Sequence, residues 1–347
     1  MRVAFFTGLR QVEIREAPEP KLTRPDEVLL RIDRVGICGS DVHYYTTGGI
    51  GDQVLEYPAT LGHECSGTVL EVGSAVERLR PGDRVAVDPA IFCGQCDQCQ
   101  AGRSNTCRRL QFLGCPGQAP GAAAEYRVLP AANCLPIPDS MTLEQAALIE
   151  PLSIGLYAVR MGDVYVGSRI AVLGTGPIGL SVLACAKAAG PSRAYATDLL
   201  DERLSAARRC GADWTGNPKR QDVVADISKL EPEGLDMVFE CSGDPACVDQ
   251  ATRLLAPGGT LLLIGIPPSL YVSFHAHLVR TKELTFRAVR RQKGCVASAI
   301  RLVSEGLVDT APLLTHRFPF AQIREAFELV AGYRDGVIKA LLDISGA

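Results

Sequence analysis

The sequence predicts an α/β protein in two parts: a β-rich part, and a doubly wound parallel sheet. Three observations predict this. Short runs bounded by Gly and Pro fill residues 27–87 and read as strands. From residue 169 onward, short apolar runs alternate with helical ones, as in a parallel sheet covered on both faces. A glycine turn joins the first of those strands to the first helix.

In chain order, Glu27 to Val35 alternates and runs into Gly36-Ile37-Cys38. Gly67 to Gly73 and Arg84 to Val87 are further strands. The Gly- and Cys-rich stretch from Cys93 to Gly121 reads as a loop. Arg169 to Leu173 is an apolar strand, Pro177 to Ala189 an Ala-rich helix, Ala194 to Asp198 a strand and Asp201 to Cys210 a helix. Asp236 to Glu240 and Thr260 to Ile264 continue the alternation. A helix near Ala321 to Val330 and a strand from Ile338 to Leu342 close the chain, and no repeat or low-complexity tract interrupts it.

A length of 347 residues supports two domains with a sizeable core. The formal charge of −3 gives no electrostatic footprint for nucleic acid or an anionic membrane. No apolar run approaches the roughly 20 residues that span a bilayer. Met1 to Phe6 lacks the apolar core and cleavage site of a signal peptide. The expectation is a cytoplasmic protein with neither nucleic-acid nor membrane partners.

Gly174-Thr175-Gly176-Pro177-Ile178-Gly179 follows a strand and opens a helix, the context that a dinucleotide turn requires. The first glycine permits the turn, the second admits a pyrophosphate and the third lets helix pack on strand. Pro177 suits the first helical turn, whose N-terminus faces the phosphates. Asp198 lies 19 residues beyond Gly179, where a carboxylate accepts hydrogen bonds from the ribose. It favours NAD over NADP. Arg203 can serve a 2′-phosphate or lie against the adenine. Gly265 and Ile266, just after a later strand, are further candidates for cofactor contact.

The cysteine count of 13 is odd, so complete disulfide pairing is impossible. In a reducing compartment clustered cysteines read as metal ligands. Cys93, Cys96, Cys99 and Cys107 form such a cluster, and four thiolates close a structural zinc site. The spacing is also compatible with an iron–sulfur cluster. Scattered cysteines such as Cys185 and Cys210 read as small buried hydrophobes.

Gly62-His63-Glu64 lies 25 residues after Cys38. A thiolate, an imidazole and a carboxylate are acceptable zinc ligands, and three of them leave a fourth position for an alcohol. Spacing alone does not single these residues out.

Gly36-Ile37-Cys38-Gly39-Ser40-Asp41-Val42-His43, Gly62-His63-Glu64, the four-cysteine loop and the glycine turn occur in the order seen in zinc-containing medium-chain alcohol dehydrogenases. The chain resembles that family over essentially its whole length. Within it, Cys38 to Tyr45, Glu150-Pro151-Leu152-Ser153 and Thr315-His316-Arg317-Phe318-Pro319 look most like sorbitol and xylitol dehydrogenases. The four-cysteine cluster is a feature shared with bacterial and fungal xylitol-type members.

The resemblance implies a GroES-like catalytic domain over residues 1–152 and 290–347, a Rossmann domain over 153–289, and a cleft between them. It implies that Cys38, His63 and Glu64 bind a catalytic zinc, which Glu150 approaches directly or through water. That makes two zinc ions per chain. Ser40 and His43 are implied to relay the alcohol proton to solvent; an N-cap is the structural alternative for Ser40. Tyr44 and Arg291 are implied to meet the polyol. The late Arg-Tyr pair of such enzymes is replaced here by Arg290-Arg291-Gln292, and the extra cation also suits an acidic or phosphorylated sugar. A homotetramer or homodimer is implied, with the sheet end near Leu261 to Ile266 in the contact.

The expected reaction is NAD-dependent oxidation of a secondary polyol hydroxyl to a ketose. Rival readings are an L-threonine or L-idonate dehydrogenase, and a non-catalytic dinucleotide-binding redox sensor. Glu150 to Ser153 and Tyr44 favour the polyol; an intact set of zinc ligands favours an enzyme.

Overall fold

The computed structural model describes residues 1–269 and 271–346. The chain forms two compact units, Met1–Glu150 with Val296–Glu305 and Leu314–Ala347, and Pro151–Cys295 with Gly306–Leu313. The sequence reading divides the chain after residues 152 and 289, whereas the units divide after Glu150, Cys295, Glu305 and Leu313.

In the first unit, the main sheet runs Cys134–Pro136, Arg84–Val87, Glu64–Val72, Glu27–Gly36, Lys339–Asp343, Leu314–Pro319. Tyr126–Pro130 also pairs with Glu27–Gly36. The Glu27–Gly36 strand is buried along most of its length, because it carries partners on both edges. Its Asp33 is fully buried and accepts hydrogen bonds from Arg31 Nε at 2.9 Å and Thr68 Oγ1 at 2.7 Å. Pairing is antiparallel except between Leu314–Pro319 and Lys339–Asp343, where the strands are parallel and the register shifts between Leu314 and His316. The rings of Phe6, Tyr45 and Phe327 meet at centroid distances of 5.0 to 6.0 Å. They seat the helices Gly39–Thr47 and Ile323–Ala331 on the N-terminal hairpin.

The second unit is built on six parallel strands in the order Trp214–Gly216, Arg193–Thr197, Arg169–Leu173, Leu235–Glu240, Leu255–Leu263, Thr285–Ala288. The order reverses direction at Arg169–Leu173, so a switch point lies between that strand and Leu235–Glu240. The cross-strand rows Leu173↔Thr197, Leu173↔Glu240 and Glu240↔Leu263 end level with one another. Residues 174, 198, 241 and 264 therefore follow directly on one sheet edge, the carboxyl end where ligands bind.

The sequence reading has no helix at Ile149–Gly162, which the structure forms. Pro151 disguises it, but proline fits a first helical turn. Among the described residues no helix is long and apolar enough to cross a membrane.

Candidate metal centre and nucleotide site

The four-cysteine loop folds back on itself. Sγ–Sγ distances are 3.4 Å for Cys93–Cys107, 3.6 Å for Cys96–Cys99, 3.8 Å for Cys96–Cys107 and 4.0 Å for Cys93–Cys99. A tetrahedron of ~2.3 Å Zn–S bonds has edges of about 3.8 Å. The thiols thus fit one zinc ion, and edges this short leave no room for an iron–sulfur cube. Backbone N–H groups of Gln95 and Cys96 pull the Cys93 thiol down to about 6. The N–H groups of Cys93 and Arg109 each lie 3.4 Å from Cys107 Sγ. These dipoles favour thiolates, the form a metal binds.

Sheet register explains how Cys38, His63 and Glu64 meet. Gly36 stands opposite Glu64 across the antiparallel pair. Cys38 follows the end of one strand and His63 precedes the start of the other. Their ligand atoms lie within 4.8 Å of one another. Among the described residues this trio and the four cysteines are the groups able to hold a metal ion. The donor set fits zinc: sulfur, nitrogen and oxygen from three residues, with one position left open.

Glu150, second residue of its helix, is buried close to the trio. Burial pushes its carboxyl up to about 7; His63 pulls the other way and Glu64 adds to the rise.

Ser40 is half-buried in the first turn of Gly39–Thr47, and His43 is exposed. Cys38, not Ser40, occupies the N-cap. Tyr44 is buried, and its hydroxyl donates to Gln53 Oε1 at 3.2 Å beside Cys115 Sγ at 3.9 Å. Arg291 is half-buried in the second unit at a left-handed φ of 55°, after the strand Thr285–Ala288.

The nucleotide turn sits at the switch point of the second unit. Gly174 has φ 88°, and a Cβ on Gly179 would lie 1.9 Å from the Gly174 carbonyl oxygen. No other residue fits either place. Gly176 caps the helix Pro177–Ala189, with Pro177 and Ile178 in its first turn. Asp198 Oδ2 accepts from Thr175 N at 2.7 Å, and Oδ1 accepts from Leu200 N at 3.0 Å. Arg203 Nη1 lies 3.8 Å from Asp198 Oδ2 and against Gly176. The Gly265 N–H donates to the Glu240 carbonyl at 3.0 Å, and Ile266 beside it is exposed.

Two family models match the chain: the alcohol dehydrogenase GroES-like domain over residues 24–139, and the zinc-binding dehydrogenase over residues 177–305. A sorbitol dehydrogenase of Bacillus subtilis (strain 168) is 36% identical over 343 residues, covering 99% of this chain and 97% of that protein. The chain belongs to the zinc-binding alcohol dehydrogenase family. The sorbitol dehydrogenase of Gallus gallus is 40% identical over 329 residues, covering 94% of this chain and 91% of that one. The crystal structure of L-idonate 5-dehydrogenase from Escherichia coli K-12 MG1655 superposes with a TM-score of 0.92 at 28% identity, covering 99% and 98% of the two chains.

Three groups of this dehydrogenase escaped the sequence reading. Asp41 is almost fully buried and accepts from Cys38 N at 3.1 Å, with its other oxygen 3.5 Å from His63 Nδ1. Burial opposes charge on His63, yet Asp41 and Cys38 more than offset it and hold its pKa well above the usual imidazole value. A carboxylate behind a ligating histidine fixes the ring's tautomer and orientation. Its only sequence signal is an acid three residues after Cys38.

Lys339 is fully buried, and its ammonium donates to both Glu64 oxygens at 2.6 Å and to the Ile37 carbonyl at 3.0 Å. Burial alone would lower its pKa, but Glu64 outweighs that and raises it. A Cβ on Gly36 would stand 2.2 Å from Glu64 Oε2, so only glycine leaves space for this pair. The signal was a lone cation in the apolar run Val337-Ile338-Lys339-Ala340-Leu341, since lysine is almost never buried unless paired.

Glu240 ends a strand at the switch point and is buried. Its Oε1 accepts from Ser242 N at 2.7 Å, Ser242 Oγ at 2.6 Å and Gly243 N at 2.8 Å. It shapes the loop against which Gly174 packs. Its signal, an acid ending an apolar strand, is the one that marked Asp198.

Proposed function

We propose that this chain oxidises a secondary hydroxyl of a polyol to a ketose, using NAD+ and two zinc ions per chain. The convergence of Cys38, His63 and Glu64, in a family that includes named sorbitol dehydrogenases, carries the reading. Bound zinc supplies a Lewis acid that makes a hydroxyl acidic, and NAD+ accepts the hydride. Asp41 at Nδ1 leaves Nε2 of His63 for the metal. Glu150 approaches the metal, directly or through water, and accepts a hydrogen bond from a substrate hydroxyl. Ser40 and the exposed His43 pass the alcohol proton to solvent. Tyr44 and Arg291 meet the remaining hydroxyls. Gly174, Gly176 and the first turn of Pro177–Ala189 receive the pyrophosphate, Gly265 and Ile266 border the cofactor, and the four cysteines hold the structural zinc.

A substrate panel tests the polyol. Sorbitol and xylitol should exceed L-threonine and L-idonate in kcat/KM with NAD+; either of the latter leading by tenfold removes the polyol reading. The enzyme acts in the cytoplasm in this proposal, and native mass spectrometry should find two zinc ions per chain in a homotetramer or homodimer. One zinc per chain would count against the catalytic site.

Asp198 sets cofactor choice in this proposal. A hydrogen bond to a charged group contributes about 1.5–3 kcal/mol, so D198A should raise the KM for NAD+ roughly tenfold to a hundredfold. The variant also frees Thr175. Steady-state kinetics with both cofactors separate the two effects: loss of ribose recognition raises the NADP+/NAD+ efficiency ratio, while a collapsed turn lowers both and leaves the ratio unchanged.

A further inference from the structure

The segment Thr315-His316-Arg317 marks the polyol branch of the resemblance, yet no step above uses it. It lies at the irregularity in the one parallel pair of the first unit's main sheet, between Leu314 and His316. Thr315 is the residue left out of register. Its hydroxyl replaces the missing ladder bonds: Oγ1 accepts from Ile338 N at 3.0 Å and donates to the Lys339 carbonyl at 3.2 Å. One side chain thereby grips the peptide on both sides of the Ile338–Lys339 link. His316 Nδ1 lies 2.9 Å from the same oxygen, and its Nε2 is 3.2 Å from Asp335 Oδ2. Arg317 makes a two-point contact with Glu144, Nε–Oε1 at 2.6 Å and Nη2–Oε2 at 2.8 Å, so the strand is anchored just after Thr315.

What Thr315 grips is the backbone of Lys339. All three ammonium hydrogens of that residue are committed, two to Glu64 and one to Ile37, the neighbour of Cys38. A bulge bends its own strand and so changes how that strand meets its partner. Without the hydroxyl, the Ile338 N–H and the Lys339 carbonyl both lose this partner, and the backbone that carries the ammonium is less closely held.

We infer that Thr315 is a positioning residue for the catalytic metal centre: through Lys339 it sets how Glu64 and Cys38 are presented to the ion. The inference rests on the proposed zinc site at Cys38, His63 and Glu64. Partners behind metal ligands typically contribute ten- to hundredfold to metal affinity.

The test is chelator-driven release of zinc from the purified holoenzyme, followed with a chromogenic chelator that resolves two kinetic phases. T315V keeps the shape and removes the hydroxyl. One of the two zinc ions should leave at least tenfold faster, and the cysteine-held ion at its original rate. T315S restores the hydroxyl and should bring release back to within about twofold of the parent. If T315V does not accumulate, T315A is read in the same assay. A merely structural threonine predicts a lower Tm with both phases unchanged or both accelerated, and either result overturns the inference. A parent enzyme with one zinc per chain would instead sink the metal reading on which it rests.

Discussion

C38S should lower kcat/KM on a polyol by about a thousandfold or more. Lewis-acid assistance supplies several kcal/mol to such a reaction, and each ~1.36 kcal/mol is a factor of ten. A serine hydroxyl is a far poorer ligand than a thiolate, so the effect is loss of the ion. The fold should survive, because Cys38 is only partly buried and sits at a helix N-cap, outside the strands. Zinc analysis should find one ion in place of two, with that of the four-cysteine loop retained. Activity within tenfold of the parent would mean that the trio holds no catalytic metal.

The second large effect concerns Lys339. K339M leaves the Glu64 carboxylate buried beside an apolar chain. Breaking a buried ion pair from one side destabilises a protein by about 3–5 kcal/mol. For a unit of this size that corresponds to a fall in Tm of roughly 10 °C. The loss should be larger after chelation, since a bound cation offsets part of the orphaned charge. The doubly substituted E64L/K339M removes both charges and should recover most of the stability, because apolar replacement of a buried pair is often neutral. Thermal unfolding with and without chelator reads all of this. Equal Tm values for K339M and the parent would show that the ammonium is not holding Glu64.

These residues differ in how far the sequence revealed them. The four cysteines are local: 15 residues contain the whole cluster, so spacing was sufficient. The glycine turn is local too, and its strand–turn–helix context was readable from period and composition. Cys38 and His63 became neighbours only through the Gly36↔Glu64 register, which no local pattern encodes, so family resemblance had to supply them. Lys339 joins Glu64 across a separation of 275 residues. Its sign was an anomaly, a cation where burial was expected, and an anomaly names no partner. The helix Ile149–Gly162 was hidden by Pro151, and the start of the strand containing Glu64 was set by tertiary pairing.

Asp198 carries a last consequence. Its two oxygens are held by the Thr175 and Leu200 N–H groups, one on each oxygen of the carboxylate. Freezing a mobile side chain on association consumes about 0.5–1.5 kcal/mol, and that loss is absent where the group is preorganised. A ribose bound to Asp198 as proposed would meet an acceptor already held in place, and discrimination between its hydroxyl and a phosphate would rest on fixed electrostatics. A jaw that adapted to either cofactor would blur that choice; a carboxylate held at both oxygens would keep it.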